Sequence, residues 1–259
     1  MQTVTHHGRT TSYRRWFRSD PTDAGPTTLF VHGSGGSHGV WKSQARLGSD
    51  YPVVSLDLSG HGESDDVDAD PGGEALAAYV DDVVAVARET DARVLVGNSL
   101  GGAVAMTLAL ERDLSLDGLV LTGTGARLSV LEDLLVWLEE DFERAVEFLH
   151  EPDHLFHDPD QRDLELSKAS MYETGQAVTS RDFQTCHRFD IRDELGDIDV
   201  PTLAVVGEYD RLTPRRYHDY LAEQIPECRV TVVADAAHLA MLERPEAFND
   251  AVEAFLSSL

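Results

Sequence analysis

A serine flanked by the smallest residues is where chemistry could begin in this chain. Gly97-Asn98-Ser99-Leu100-Gly101 follows the apolar run Arg93-Val94-Leu95-Val96 and opens a helical pattern from Gly102 to Leu110. A G-x-S-x-G between a buried strand and a helix is the sequence form of a nucleophile elbow. Such a turn lifts the serine hydroxyl above the sheet edge and strains the serine backbone. Strand and helix nearly touch there, so the residues two before and two after must be tiny. Gly97 and Gly101 meet that demand. Ser99 is the candidate nucleophile.

Acyl transfer through a serine needs a base, an acid that orients the base, and donors for the oxyanion. The candidate base is His238, in Ala234-Asp235-Ala236-Ala237-His238. It follows the last strand-like run, Arg229 to Val233, by a short loop, which returns it to the sheet edge beside Ser99. An imidazole there takes the hydroxyl proton and later returns it to the leaving group. The candidate acid is Asp210, in Gly207-Glu208-Tyr209-Asp210, just past the run Thr202 to Gly207. Asp235 and Glu208 are its rivals, although three residues before the base is an awkward reach. Together the three residues stand in the order Ser, Asp, His. The expected oxyanion donors are two backbone amides. One is that of Leu100, at a helix N-terminus where the dipole assists. The other is that of Ser34, in His32-Gly33-Ser34-Gly35-Gly36. This glycine-rich turn is not a phosphate loop, because it lacks the lysine of G-x-x-x-x-G-K-[ST] and the spacing of G-x-G-x-x-G. Of the other histidines, His32 and His61 read as structural, and the remaining eight have no comparable context. His32 is expected to hold its own loop, His61 to sit in a glycine-rich turn, and Asp57 to brace the turn after it.

Parallel strands and helices must position these groups. Thr27 to Val31, Tyr51 to Asp57, Arg93 to Gly97, Leu119 to Gly123, Thr202 to Gly207 and Arg229 to Val233 read as strands. They are continuous apolar runs rather than alternations, the signature of a sheet covered on both faces. Arg14 to Phe17 is compatible with an earlier antiparallel strand. Gly73 to Thr90 and Ala247 to Leu256 carry helical periodicity. From about Ser129 to Asp193 the alternation stops, and only helical patterns remain: Val130 to His150, Asp160 to Thr174 and Thr179 to Phe189. This insertion leaves from a strand's carboxyl end, where open α/β sheets bind ligands. It is expected to cap the site, as residues 127–194, over a core made of 1–126 and 195–259. Leu131, Leu134, Leu135, Trp137, Phe142, Phe148, Met171 and Phe183 are its candidate pocket residues.

The 259 residues, 42% of them hydrophobic, suffice for a single core. The formal net charge is −26, from 47 acids and 21 bases; only Lys42 and Lys168 are lysines. Such a field repels nucleic acid and anionic membranes. Acid excess with arginine preferred to lysine resembles proteins of halophilic organisms, in which salt screens the self-repulsion. Cys186 and Cys228 form neither a disulfide framework nor a zinc pattern. Met1 to Asp20 carries Arg9, Arg14, Arg15 and Arg18 but no apolar signal region, and no stretch approaches 18 apolar residues. A cytoplasmic location is expected; oligomeric state is not legible.

Taken together, His32-Gly33-Ser34-Gly35-Gly36, Asp57-Leu58-Ser59-Gly60-His61-Gly62-Glu63-Ser64, Gly97-Asn98-Ser99-Leu100-Gly101-Gly102, Gly207-Glu208-Tyr209-Asp210 and Ala237-His238 resemble the α/β-hydrolase family. The resemblance implies an α/β fold: a mostly parallel eight-stranded sheet with its second strand antiparallel, helices on both faces and a helical cap after the sixth strand. It also implies that Ser99, Asp210 and His238 match the family's triad. Within the family the chain is similar to carboxylesterases, enol-lactonases and carbon–carbon hydrolases. A serine rather than an aspartate at the nucleophile position argues against the dehalogenase and epoxide-hydrolase branches. The leading expectation is a serine hydrolase of a small or medium ester or lactone, needing no metal or organic cofactor. A second is carbon–carbon cleavage or peracid formation by the same triad, with Arg181, Arg188 and Arg192 as candidate holders of a substrate carboxylate. A third is a non-catalytic binding protein that kept the fold.

Overall fold

A computed structural model describes residues 1–17, 25–112 and 114–259. Arg18, counted above in the basic N-terminal segment, lies outside the described residues. The chain opens with β1 (Gln2–His6) and β2 (Arg9–Trp16), a hairpin turned by His7 and Gly8 at positive φ. Next come β3 (Thr27–Val31), β4 (Val53–Leu56), α1 (Gly73–Thr90), β5 (Ala92–Asn98), α2 (Leu100–Glu111) and β6 (Gly118–Thr122). Four helices follow: α3 (Glu132–Glu140), α4 (Phe142–Leu149), α5 (Gln161–Thr174) and α6 (Gln176–Arg188). The chain closes with β7 (Thr202–Gly207), α7 (Arg215–Gln224), β8 (Cys228–Val233), α8 (Ala240–Glu243) and α9 (Pro245–Leu256).

The eight strands form one sheet in the order β1-β2-β4-β3-β5-β6-β7-β8. Only β2 runs antiparallel to its neighbours β1 and β4; the pairs from β4 to β8 are parallel. Alternate side chains of each central strand enter opposite layers. Leu29, Val31, Leu95, Leu119 and Leu121 pack toward α1 and α2. Phe30, Val94, Val96, Val120, Leu203 and Val205 pack toward α9 and the inserted helices. Burial on both faces explains the unbroken apolar runs, each such side chain contributing roughly 1.5–3 kcal/mol.

Three elements differ from the sequence reading. The antiparallel strand starts at Arg9, not near Arg14, and β1 precedes it. Their residues are mostly polar and carry no apolar run to announce a strand. Val130 to His150 is not one helix: Asp141 breaks it, and its carboxylate accepts from the Arg144 N–H at 3.2 Å to cap α4. Helix α7 escaped the periodicity because it buries little beyond His218 and Leu221.

Candidate active site

Ser99 sits at the junction of β5 and α2 with φ 54° and ψ −115°. This backbone region costs a non-glycine residue on the order of 1–3 kcal/mol and persists only where surroundings impose it. Here they do. A Cβ on Gly97 would overlap the Gly101 carbonyl, and one on Gly101 would overlap the Val31 carbonyl. The Ser99 N–H donates to the Thr122 carbonyl at 3.0 Å, and the Thr124 hydroxyl donates to the Ser99 carbonyl at 2.9 Å. The turn is thus clamped to β6 while the side chain stays partly exposed.

Asp210 follows β7 and His238 follows β8, so both emerge at the carboxyl edge of the sheet. His238 Nδ1 donates to Asp210 Oδ2 at 3.0 Å. Asp210 Oδ1 accepts the Leu212 and Thr213 N–H groups, each at 2.8 Å, and Oδ2 accepts the Thr213 hydroxyl at 2.7 Å. Burial alone would raise the Asp210 pKa. Attraction to His238 and these hydrogen bonds outweigh it and hold the carboxyl below its ordinary value. Neither rival takes this place: Asp235 and Glu208 are exposed, and the Asp235 N–H donates to Glu208 Oε2 at 3.2 Å.

Asn98 ties the elbow to the His238 loop: its amide donates to the Thr122 carbonyl of β6 at 3.3 Å and the His238 carbonyl at 3.5 Å. Gly33 packs on Ser99, where an added Cβ would lie 3.0 Å from the serine Cβ. Ser99, His238, Gly33 and Ser34 all line one cavity of about 630 Å³. Leu131, Leu134, Phe148, Met171 and Phe183 of the inserted helices line it too. Leu135, Trp137 and Phe142, proposed from the sequence, do not; Trp137 packs on Phe148 at 5.3 Å between ring centroids. Among the described residues, no protein acceptor takes the Ser34 or Leu100 amide hydrogen. Leu100 is the first residue of α2, where the dipole favours negative charge.

A strained serine, a carboxylate-oriented imidazole and two free amides at the carboxyl edge of such a sheet agree with what the whole chain resembles. Residues 28–251 match the model of the Alpha/beta hydrolase family. The chain belongs to this family. It is 31% identical over 255 residues to a pimeloyl-[acyl-carrier protein] methyl ester esterase of Neisseria meningitidis, covering 91% of this chain and 78% of that one. It is 25% identical over 252 residues to 3-oxoadipate enol-lactonase 1 of Acinetobacter baylyi, covering 90% of each. A solved thermophilic esterase superposes with a TM-score of 0.87 at 30% identity, covering 99% of this chain and 97% of that one.

His32 and His218 of this hydrolase act as braces. His32 Nδ1 donates to the Gly33 carbonyl at 2.8 Å while Nε2 accepts the Leu58 N–H at 3.1 Å. Burial and the neighbouring His61 push its pKa down to about 4. His218 is likewise buried, pushed down to about 4 chiefly by burial, and its Nε2 accepts the Thr124 N–H at 3.3 Å. Asp57 braces its turn as expected, accepting from the His38 N–H at 2.7 Å and the Glu63 N–H at 3.1 Å.

Three supports were not foreseen: Thr213, Asn98 and Glu243. The Glu243 carboxylate accepts the N–H groups of Ala237, His157 and Asp158 at 2.7, 2.8 and 2.9 Å, tying the His238 loop to the inserted segment. A carboxylate five residues past a candidate base was the only signal available. Conversely, the three arginines suggested as carboxylate holders do not reach the cavity. Arg181 bonds Asp66 at 2.6 Å, Arg188 bonds the Pro71 carbonyl, and Arg192 pairs with Asp190 at 2.7 Å. Among the described residues no helix is long and apolar enough to cross a membrane.

Proposed function

We propose that this esterase-type hydrolase cleaves a small or medium carboxylic ester or lactone through an acyl-enzyme on Ser99. The Asp210–His238 bond carries the reading, because it donates Nδ1–H and leaves Nε2 as the base. Nε2 takes the Ser99 proton as the oxygen attacks the ester carbonyl. The amides of Leu100 and Ser34 receive the developing oxyanion. The imidazolium then protonates the leaving alkoxide, and water repeats the sequence to release the acid. No step calls for a metal or an organic cofactor. The strained elbow, the shared cavity and the esterase and enol-lactonase relatives all support this assignment.

Residues 127–194 act as the cap in this reading. Their apolar side chains over Ser99 supply a wall for an acyl group and exclude water. The volume suits a ligand of modest size. The test is hydrolysis of p-nitrophenyl acetate, butyrate and octanoate by wild type and Ser99→Ala at several salt concentrations. Serine-dependent turnover supports the proposal, and the chain-length profile sizes the pocket. Turnover that survives Ser99→Ala overturns it.

A further inference from the structure

Asp182 projects from α6 of the inserted helices and is fully buried. Its partners come from three distant segments. Oδ1 accepts the Tyr79 hydroxyl of α1 at 2.6 Å. Oδ2 accepts the His61 Nε2–H at 2.8 Å and the Gly35 N–H at 3.2 Å. Gly35 directly follows Ser34, whose amide is the second oxyanion donor proposed above.

We infer that Asp182 is a positioning residue: this carboxylate, carried by the inserted helices, holds the Gly35 amide and thereby fixes the turn that presents the Ser34 N–H. The inference rests on the reaction proposed above. The turn is closed internally by the Gly36 N–H to the Gly33 carbonyl at 3.1 Å. Its first half is held by the neutral His32 ring on the Gly33 carbonyl. In its second half the Ser170 and Thr174 hydroxyls of α5 donate to the Gly35 carbonyl at 3.5 and 3.4 Å, while Asp182 holds the Gly35 N–H. Without that acceptor the Gly35 N–H would be a buried orphan, and the turn would relax to find another partner.

The charges agree with this role. His61 Nδ1 lies 3.1 Å from the Ser59 carbonyl and Nε2 lies 2.8 Å from the carboxylate, so both nitrogens face acceptors and both carry protons. His61 is therefore an imidazolium that neutralises Asp182. Burial would lower its pKa, but the Asp182 carboxylate raises it above the ordinary value. Burial would raise the Asp182 carboxyl, but His61 and the hydrogen bonds from His61, Tyr79 and Gly35 bring it down. The groups packed around the pair leave it this way. His32, with its ring 4.7 Å from that of His61, is neutral. The Cys186 thiol is pushed up to about 12 and stays protonated. Arg181 spends its charge on Asp66 at 2.6 Å and on the Tyr79 oxygen at 3.0 Å. Asp57 faces His38.

The test compares Asp182→Asn with Arg188→Gln, with wild type and Ser99→Ala run alongside. Asparagine keeps the shape, removes the charge that pairs with His61, and leaves one acceptor oxygen where the carboxylate has two. Arg188→Gln cuts another tie from α6 to the core, the bond to the Pro71 carbonyl, and leaves Asp182, its three partners and the turn untouched. For Asp182→Asn, kcat falls about 100-fold with KM little changed, and affinity for a trifluoromethyl ketone falls by a similar factor. For Arg188→Gln, the melting temperature falls slightly while kcat stays within about twofold, as expected for a tie outside the site. Wild-type kcat in folded Asp182→Asn overturns the inference, as does an equal loss of kcat in Arg188→Gln. Turnover that survives Ser99→Ala overturns the reaction itself, which separates the two failures.

Discussion

The Thr213 hydroxyl donates to Asp210 Oδ2 at 2.7 Å, on the same oxygen that receives His238 Nδ1. Two donors on one carboxylate oxygen fix its direction toward the imidazole. Thr213→Val removes the hydroxyl and keeps the shape. It is expected to lower kcat about tenfold, the order of a lost hydrogen bond to a charged group, while Thr213→Ser stays near wild type. Steady-state kinetics of the two variants decide it; equal rates in Thr213→Val and wild type would leave Thr213 with packing alone.

Asp210→Asn tests the acid. An amide in that place favours the wrong imidazole tautomer, and kcat is expected to fall by about 10³ to 10⁴, the range set by the serine-protease precedent. Asp235→Asn and Glu208→Gln, exposed and away from His238, are expected to retain the rate. A larger loss in either of them would reassign the acid.

Acid should destabilise the protein in a defined window. His32 and His218 fold with pKa values near 4, against about 6.5 unfolded. Between these values the unfolded chain binds more protons, so stability falls as pH drops from about 6.5 to about 4. Each histidine accounts for on the order of 3 kcal/mol across that window. His61 has the opposite sign: its raised pKa gives stability that is complete below the unfolded value and fades as pH rises through the folded one. Asp210 and Asp182, both depressed, lose their contribution only as pH falls below about 4. Melting temperature against pH measures the slope, and His218→Gln should flatten it between pH 6.5 and pH 4. An unchanged slope in that variant would remove His218 from the account.

Gly101→Ala places a methyl group on the Val31 carbonyl, which belongs to the central strand β3. Strand and helix must separate or the elbow must open. The expected cost is about 3 kcal/mol or more, in the range of overpacked and strained cores, with activity lost in any folded fraction. Denaturant unfolding reads the first effect and ester turnover the second. A variant as stable and active as wild type would contradict the close approach at the elbow.

A formal charge of −26 should make stability salt-dependent. Raising KCl from about 0.1 M to about 2 M shortens the Debye length to a few ångströms and screens the repulsion among the acids. The melting temperature is expected to rise by several degrees or more, with turnover following. A flat response would make the charge a matter of solubility rather than of adaptation to salt.

Some of this molecule is written in short stretches of chain. Gly97 to Gly101 announces the elbow because the steric demand acts between residues two positions away from the serine. Asp210 and His238 were legible because each closes an apolar strand, and strands of a parallel sheet end on one edge. The length of the insertion, without strands, pointed to helices between β6 and β7. What escaped depends on pairs far apart in sequence. Nothing local says that Asp182 meets Gly35 and His61, or that Glu243 reaches back to His157. Nor does it say that Arg181 turns to Asp66 and away from the cavity that Leu131, Phe148 and Phe183 help to line. A side chain's role as brace, base or wall is settled by which partners burial forces on it, and packing the inserted helices onto the sheet chooses those partners.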